Sequence, residues 1–330
     1  MRALKYSDIS LSPNFSSCKS RSECDTSTLI FGNEYKLPII PANMKAVVTE
    51  DLCKWLSRNG YFYIMHRFDV DNINFVDRAN REDWNLISIS LGVQKKDVDI
   101  LYKLKKNSDR GRVHCITIDI AHGHSQRMKE MLEHCKNLMP KTKIIAGNVA
   151  TPNAVSDLYR WGADMVKVGI GQGSPCTTKD KTGFTMPMFT CVKDCAEVYS
   201  GDLFNQTADH NRIPIIADGG VKCNGDIAKA LVAGADLVMA GGLFASCSDS
   251  PSHSIEIKGA THKAYYGSAS FENKKTKTHI EGLLKNVPSS GMTYKSKLIE
   301  IEEDLQSSIS YAGGSELSSL NSKNVEHIEL

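Results

Sequence analysis

The chain has 330 residues, 41% hydrophobic and 24% charged, which is typical of a globular protein with one large domain or two ordinary ones. The formal net charge of +2 and the lack of a dense Lys/Arg stripe argue against a nucleic-acid-binding protein. No apolar run is long enough to cross a membrane, and the N-terminus lacks the apolar core of a signal peptide, so we expect a cytoplasmic protein.

Eight short apolar stretches, each ending in polar or Gly-rich residues, alternate with helical patterns along the chain. Eight strands that alternate with helices predict an α/β fold, a (β/α)8 TIM barrel, and an open doubly wound sheet is the alternative. Two of the helical patterns carry end signals: 151–163 starts with Thr and Pro, and 224–235 starts with Asn and ends near Gly. The predicted strands are 37–43, 61–67, 86–92, 115–123, 143–148, 165–171, 213–220 and 237–242.

A long loop follows the sixth predicted strand, because the strands at 165–171 and 213–220 start nearly 50 residues apart. Long loops in compact domains are usually functional or disordered, and barrel enzymes carry their chemistry on the loops after the strands. The extra length contains "GIGQGSPCTTKDKTGF" (169–184), with one cysteine among glycines, hydroxyls and lysines. We therefore expect a catalytic loop here.

A C-terminal extension follows the eighth predicted strand. It contains a hairpin pattern in "IEIKGATHKAYYGSAS" (255–270), a polar segment at 272–292 that we expect to be mobile, and a helix at 294–313. The apolar positions of this helix are Leu298, Ile301, Leu305 and Ile309. No boundary suggests a second domain, so residues 1–330 are expected to form one catalytic barrel.

Glycine pairs follow the seventh and eighth predicted strands, in "ADGG" (217–220) and "AGG" (240–242). In barrels these two loops often bind phosphate through backbone N–H groups, although a Gly pair can also be a simple tight turn. Asp218, at a strand end, would suit the hydroxyls of a ribose, and the alternative is that it caps the next helix.

Cys176 has four conceivable roles: nucleophile, metal ligand, disulfide partner or bystander. The ten cysteines form no CxxC pair and no zinc-type Cys/His cluster, and several lie in apolar segments, which favours reduced thiols. Lys179, Lys181 and nearby hydroxyls could activate a thiolate, so nucleophile and bystander stay open on chemistry alone. Thr178, two residues on, could hold a water or a leaving group.

Several motifs together carry a resemblance to a known family. They include "PANM", "GYFYIMHRF", "ITIDIAHGH", "IIAGNV", "KVGIGQGSPCTT", "IPIIADGG", "YYGSAS" and "SISYAGG". The chain resembles the inosine monophosphate dehydrogenase/GMP reductase family over nearly its whole length. The early strands leave no room for the CBS modules of most dehydrogenases, and no Arg-Tyr pair follows residue 176, so the reductase branch is favoured.

The resemblance implies an NADPH-dependent reductive deamination in purine nucleotide salvage: GMP + NADPH + 2 H⁺ → IMP + NADP⁺ + NH₄⁺. Cys176 would attack C2 of the guanine and form a covalent thioimidate, with Thr178 and Glu281 as the further catalytic residues. The alternatives are a short IMP dehydrogenase without CBS modules and an inactive purine-nucleotide-binding barrel.

Other roles are implied by the resemblance in the same way. Asp119, Gly123 and Asn148 would face the NADPH nicotinamide, and carbonyls of Gly171, Gly173 and Cys176 would match a monovalent-cation loop for K⁺. A homotetramer is also implied. Three features depart from the family: Gln172 and Pro175 in the catalytic loop, Thr278 and Ile280 before Glu281, and an added stretch at 200–212. The implied GMP-binding residues are Ser174, Asp218, Gly219, Gly220, Gly241, Gly242, Gly267, Ser268 and Ser270.

Overall fold

The computed structural model describes residues 2–107, 111–199, 212–274, 278 and 280–330. In chain order its strands are β1 (Ile9–Leu11), β2 (Thr28–Ile30), β3 (Asn33–Tyr35), β4 (Ile39–Pro41), β5 (Ser88–Leu91), β6 (Cys115–Asp119), β7 (Lys143–Val149), β8 (Met165–Val168), β9 (Ile215–Asp218), β10 (Leu237–Ala240), β11 (Ser254–Ile257), β12 (Ala260–Tyr266), β13 (Leu284–Pro288) and β14 (His327–Glu329). Its α-helices are α1 (Glu50–Arg58), α2 (Asn72–Arg81), α3 (Lys95–Lys106), α4 (Gln126–Leu138), α5 (Pro152–Arg160), α6 (Thr178–Thr182), α7 (Met188–Ala196), α8 (Gly225–Val232), α9 (Gly242–Ala245), α10 (Phe271–Lys274) and α11 (Tyr294–Tyr311).

The fold is a (β/α)8 barrel, as predicted. Its parallel sheet has the order β4-β10-β9-β8-β7-β6-β5. Its first and last strands in chain order, β4 and β10, are hydrogen-bonded to each other, so the sheet curves round towards closure. Strands β5, β8 and β10 are buried at every position, because helices cover the outside and side chains fill the inside. The carboxyl ends of all these strands meet at one face of the barrel.

The predicted second strand at 61–67 is the one that the structure does not confirm. Residues 61–66 are buried beside β5 but form no strand ladder. The Met65 N–H donates to the Ser88 carbonyl at 3.1 Å, whereas the Met65 carbonyl accepts from the Ser90 hydroxyl at 2.6 Å. The Met65 carbonyl thus accepts from a side chain where a strand ladder would supply a backbone N–H. This explains why the segment pairs with β5 through one backbone bond.

The two helices with predicted end signals differ in outcome. In α5 the Thr151 side chain accepts from the Ala154 N–H at 3.4 Å, and Pro152 is the first residue, as predicted. Asn224 is the N-cap residue of α8, as predicted, but its side chain makes no capping bond, and its amide instead donates to Glu300 and Asp304 of α11 at 3.2 and 2.7 Å.

The C-terminal extension follows its predicted pattern. Strands β11 and β12 form the expected hairpin, and β13 adds a third antiparallel strand to it. Helix α11 buries all four predicted apolar residues. Most of the added stretch at 200–212 lies outside the described residues, and the mobility of 272–292 stays a prediction. No described helix is long and apolar enough to cross a membrane.

Candidate active site

A cavity of ≈ 630 Å³ lies at the carboxyl end of the barrel strands. Its lining combines residues that follow seven different strands or their loops, which is where barrel enzymes place their chemistry. Two predicted site residues, Gly123 and Ser270, are buried next to the cavity and do not line it. The predicted residues that do line it are Asp119, Asn148, Gly171, Gly173, Ser174, Cys176, Thr178, Asp218, Gly219, Gly220, Gly241, Gly242, Gly267, Ser268 and Glu281.

The Cys176 loop is held by backbone bonds on two sides. Within the loop, the Cys176 N–H donates to the Gly173 carbonyl at 2.9 Å. Across the loop, the Thr177 N–H donates to the Glu281 carbonyl at 2.9 Å, and the Leu283 N–H donates to the Pro175 carbonyl at 2.8 Å. The C-terminal extension therefore pairs with the catalytic loop in the manner of a short antiparallel strand, which brings Glu281 to the cysteine.

Three side chains form one hydrogen-bonded series in this loop. The Cys176 thiol donates to Thr178 Oγ1 at 3.2 Å, and the Thr178 hydroxyl donates to Glu281 Oε2 at 2.6 Å. All three are partly buried. Thiol, hydroxyl and carboxylate in this order form a path along which a proton can pass from sulfur to carboxylate. All ten cysteines are free in this structure.

Lys167 was missed from the sequence, although it lies at the centre of the site. Its side chain is 3% exposed, and its Nζ lies 2.8 Å from Asp119 Oδ1 and 2.8 Å from Asp218 Oδ2. Burial opposes its charge, but the two carboxylates raise the pKa of Lys167 above its ordinary value. A lysine inside an otherwise apolar strand, "MVKV", was the available signal, because a buried ammonium needs anionic partners.

Asp119 is held in its ionised form by the same contact. Its burial favours the neutral acid, yet Lys167, together with the Arg67 charge and the Asn43 bond, outweighs that effect and lowers the pKa of Asp119. Asn43, which follows β4, adds a bond from its amide to Asp119 Oδ2 at 3.1 Å. The carboxylate is therefore fixed in position by groups from two other strands.

Asp218 does not cap the following helix, which was the alternative role. Its Oδ2 accepts from Lys167 at 2.8 Å and from the Asn148 amide at 2.9 Å. No side chain caps the N-terminus of α8, and Asp226 of its first turn accepts from the Lys222 N–H of the preceding loop at 2.9 Å. Oδ1 of Asp218 accepts from no described residue, and Asp218 borders the cavity.

Three of the four residues in the glycine pairs have a structural need for glycine, two through the backbone and one through packing. Gly219 and Gly220 have φ of +104° and +80°, which side chains rarely permit. A Cβ on Gly241 would lie 2.0 Å from Tyr265 Oη, so no larger residue fits there without movement. Phosphate binding by these loops stays a prediction.

The two predicted residues that do not line the cavity, Gly123 and Ser270, contact residues that do. Gly123 donates its N–H to the Asn148 carbonyl at 2.7 Å, and a Cβ on Gly123 would lie 3.0 Å from that oxygen. The Ser270 N–H donates to the Gly267 carbonyl at 3.1 Å, and the buried Ser270 hydroxyl has no partner among the described residues. Lys277 and His279, which the sequence places near Glu281, lie outside the described residues.

The predicted cation carbonyls, those of Gly171, Gly173 and Cys176, lie in one short loop. The Gly173 carbonyl already accepts from the Cys176 N–H. In the described part of the chain no group of His, Cys, Asp and Glu side chains could hold a metal ion, so a cation here would depend on carbonyls.

A family model and individual relatives match this chain over nearly its whole length. A family model described as "IMP dehydrogenase / GMP reductase domain" matches residues 3–329. A protein of Variovorax paradoxus (strain S110), named GMP reductase, is 46% identical over 327 residues, which cover 98% of this chain and 95% of that protein. A GMP reductase of Mesoplasma florum is 44% identical over 336 residues, covering 100% of this chain and 98% of that protein.

Proposed function

This chain belongs to the IMP dehydrogenase / GMP reductase family, and from that premise we propose that it is a GMP reductase that converts GMP to IMP and ammonia with NADPH. The observation that carries the proposal is the series Cys176–Thr178–Glu281, a thiol, a hydroxyl and a carboxylate in direct hydrogen-bond contact. This series lines the same cavity as the glycine loops and Asp218, so a nucleotide bound there would meet the nucleophile.

The cavity offers complementary groups for each part of GMP. Backbone N–H groups of the two glycine pairs, with the Ser174 hydroxyl, would hold the phosphate. Oδ1 of Asp218 would accept from the ribose hydroxyls, while Oδ2 stays bound to Lys167 and Asn148. Gly267 and Ser268 would border the base and phosphate, and Ser270 would support them from behind.

The chemistry then follows from the order of the three groups. Cys176 Sγ forms a bond to C2 of the guanine, its proton passes through Thr178 to Glu281, and Glu281 returns a proton to the amino group. The C2–N bond breaks, ammonia leaves, and a thioimidate on Cys176 remains. Addition of hydride at C2 then breaks the C–S bond, releases IMP and regenerates the thiolate.

The residues at the ends of β6 and β7 fit a nicotinamide cofactor. Asn148 Oδ1 is buried and has no partner among the described residues, so an acceptor is left for the N–H of a carboxamide. Asp119, kept ionised by Lys167, supplies a second acceptor, and Gly123 fixes the backbone of Asn148. NADPH bound there would supply the hydride.

Three further features belong to the proposal, the first two implied by the family resemblance and the third by the apolar pattern of the sequence. They are a K⁺ ion bound by the carbonyls of the catalytic loop, a homotetramer, and a cytoplasmic location. The carbonyl oxygens of Gly171 and Gly173 are suitable ligands for a hard monovalent cation.

Two parallel incubations test the proposal. We expect loss of the absorbance of reduced nicotinamide when GMP and NADPH are supplied, and no gain when IMP and NAD⁺ are supplied. The reverse result would identify a short IMP dehydrogenase. Tight GMP binding without turnover in either direction would identify an inactive nucleotide-binding barrel.

A further inference from the structure

Gln172 interrupts a run of glycines in the loop that carries Cys176. Gly169 and Gly171 have φ of +134° and +75°, and Gly173 follows two residues later. Glycine lets the backbone adopt these conformations but also leaves it many others, so glycines alone do not fix a loop. The backbone bonds at Gly173, Pro175 and Thr177 hold the later part of the loop, so a side-chain bond near Gly171 would restrain its earlier part.

The structure contains such a restraint. Gln172 Nε2 donates to Thr185 Oγ1 at 2.6 Å, and the Thr185 hydroxyl donates to the Ile170 carbonyl at 3.0 Å. Thr185 lies on the segment between α6 and α7. Its two bonds join this segment to Ile170 and Gln172, the residues on either side of Gly171. A Cβ on Gly171 would lie only 2.8 Å from Thr185 Oγ1, which shows how closely the two segments pack.

The backbone of Gln172 also contacts the loop proposed to bind phosphate. A Cβ on Gly219 would lie 3.3 Å from the Gln172 carbonyl carbon and 3.2 Å from the Gly173 nitrogen. On its other side, the Gly173 carbonyl accepts from the Cys176 N–H at 2.9 Å. A shift of Gln172 would therefore move the cysteine turn relative to Gly219.

We propose that Gln172 and Thr185 form a clasp that positions the Cys176 loop against the Gly219 loop, so that both residues are positioning residues for the reaction. Gln172, which departs from the family pattern, then has a defined role, because its side-chain bond supplies the restraint that the surrounding glycines lack. The turnover readout rests on the proposed function, whereas the clasp is a property of the ligand-free protein.

The test compares Thr185→Val, which keeps the shape but removes both hydrogen bonds, with Thr185→Ser, which keeps the hydroxyl. Alkylation of Cys176 by iodoacetamide in ligand-free protein is followed by peptide mass spectrometry, which separates it from the exposed Cys223. We expect Thr185→Val to speed this alkylation by about threefold to tenfold, because the net free energy of one hydrogen bond corresponds to a change of that size in an equilibrium. We expect kcat/KM for GMP to fall by a similar factor and Thr185→Ser to retain both values.

Gln172→Met provides a second variant that removes one bond of the clasp, and we expect it to change both readouts in the same directions. Thr261→Val is the matched control, because the exposed Thr261 hydroxyl also makes a 2.7 Å bond to a side chain, Glu256, far from the catalytic loop in sequence. Faster alkylation with slower turnover is the result expected of a positioning role.

The clasp would be overturned if Thr185→Val and Gln172→Met both kept an alkylation rate within twofold of the wild type. It would also be overturned if both variants kept kcat/KM within twofold of the wild type. Slower alkylation in these variants would overturn it as well. Failure of GMP to protect Cys176 in the wild-type protein would instead contradict the proposed function, and the alkylation difference between the variants would still decide the clasp.

Discussion

Thr178 Oγ1 lies 2.6 Å from Glu281 Oε2, although the two residues are 103 positions apart in the chain. The contact joins the catalytic loop after β8 to the C-terminal extension, and the backbone pairing of Thr177 with Glu281 reinforces it. The proposed nucleophile and proton carrier are therefore assembled only when these two segments meet. Substitution of Cys176 or Glu281 should therefore abolish or slow turnover while GMP still binds.

Glu281→Gln tests the proton path. The amide oxygen of Gln can still accept from the Thr178 hydroxyl, but the side chain can no longer carry a proton to the leaving amine. We expect kcat with GMP and NADPH to fall by about 10²- to 10⁴-fold, as for the loss of a general acid or base, while GMP binding measured by calorimetry changes much less. Glu303→Gln, on the exposed face of α11, is the control. Turnover close to the wild-type rate would remove Glu281 from the path.

Cys176→Ala tests covalent catalysis. The substitution removes the sulfur but leaves the glycine loops, Asp218 and Lys167 unchanged, so GMP should still bind. We expect turnover to be abolished, because no other described thiol lines the cavity. Cys223→Ala, at an exposed cysteine outside the cavity, should keep full activity. Persistent turnover in Cys176→Ala would exclude the thioimidate.

Lys167→Met tests the buried ion network. Methionine is similar in size, but it leaves Asp119 and Asp218 without their shared cation in a buried site. We expect the free energy of unfolding, measured in urea, to fall by about 3–5 kcal/mol, the usual cost of removing one partner of a buried pair. Lys136→Met removes an exposed lysine that lies 3.5 Å from Asp164, and should cost less than about 1 kcal/mol. Equal losses in the two variants would refute the assignment.

The location of the site could be predicted from the sequence better than its internal contacts. Apolar runs that end in Gly, Asn or Asp mark the strand ends, and the glycine pairs and Cys176 follow directly. Lys167 was missed because Asp119 and Asp218 lie far from it in the chain, whereas the sheet places β8 next to β9 and only one strand away from β6. Its signal was present, since a charged residue in a buried strand implies a partner.

Other features carried no local signal. The Asn224 side chain turned to α11 rather than to its own helix, since carboxylates at Glu300 and Asp304 were available to its amide. The bond between Gln172 and Thr185 depends on how two loop segments return past each other. Neither periodicity nor turn chemistry predicts contacts of that kind, because tertiary packing decides them.

The pH dependence of stability should contain a contribution from His66. Burial, with the nearby positive charge of Lys45, lowers the pKa of His66 from its ordinary 6.5 to about 4, although the negative charge of Asp69 acts in the opposite direction. Between these two values the unfolded chain binds a proton and the folded chain does not. Stability therefore falls as the pH drops from about 6.5 to about 4, by up to about 3 kcal/mol from this residue.

His66→Gln should remove this contribution, so its free energy of unfolding should depend less steeply on pH than that of the wild type between about 6.5 and 4. Urea denaturation at a series of pH values measures the slope. His253→Gln, at an exposed histidine just before β11, is the control and should keep the wild-type slope. Identical slopes in wild type and His66→Gln would show that His66 is not held neutral by burial.

Gly241→Ala tests the close packing behind the second glycine pair. Gly241 has φ of −98°, which any residue can adopt, so the obstacle to a side chain is contact rather than backbone strain. The new Cβ would lie 2.0 Å from Tyr265 Oη and 3.0 Å from Tyr265 Cζ, in a buried region where the ring cannot easily move. We expect a loss of about 1–3 kcal/mol in the free energy of unfolding, typical of overpacking. Gly242→Ala, with no atom within 4 Å of the new carbon, should cost almost nothing.

Tyr265→Phe in the same chain as Gly241→Ala should restore part of that loss, because it removes the oxygen that the new carbon meets most closely. The recovery should be incomplete, since the ring carbon at 3.0 Å remains and the contact of the Tyr265 hydroxyl with Met44 Sδ is lost. Restoration in the double variant would attribute the defect to one pair of atoms. A double variant as unstable as Gly241→Ala alone would show that the glycine is required for another reason.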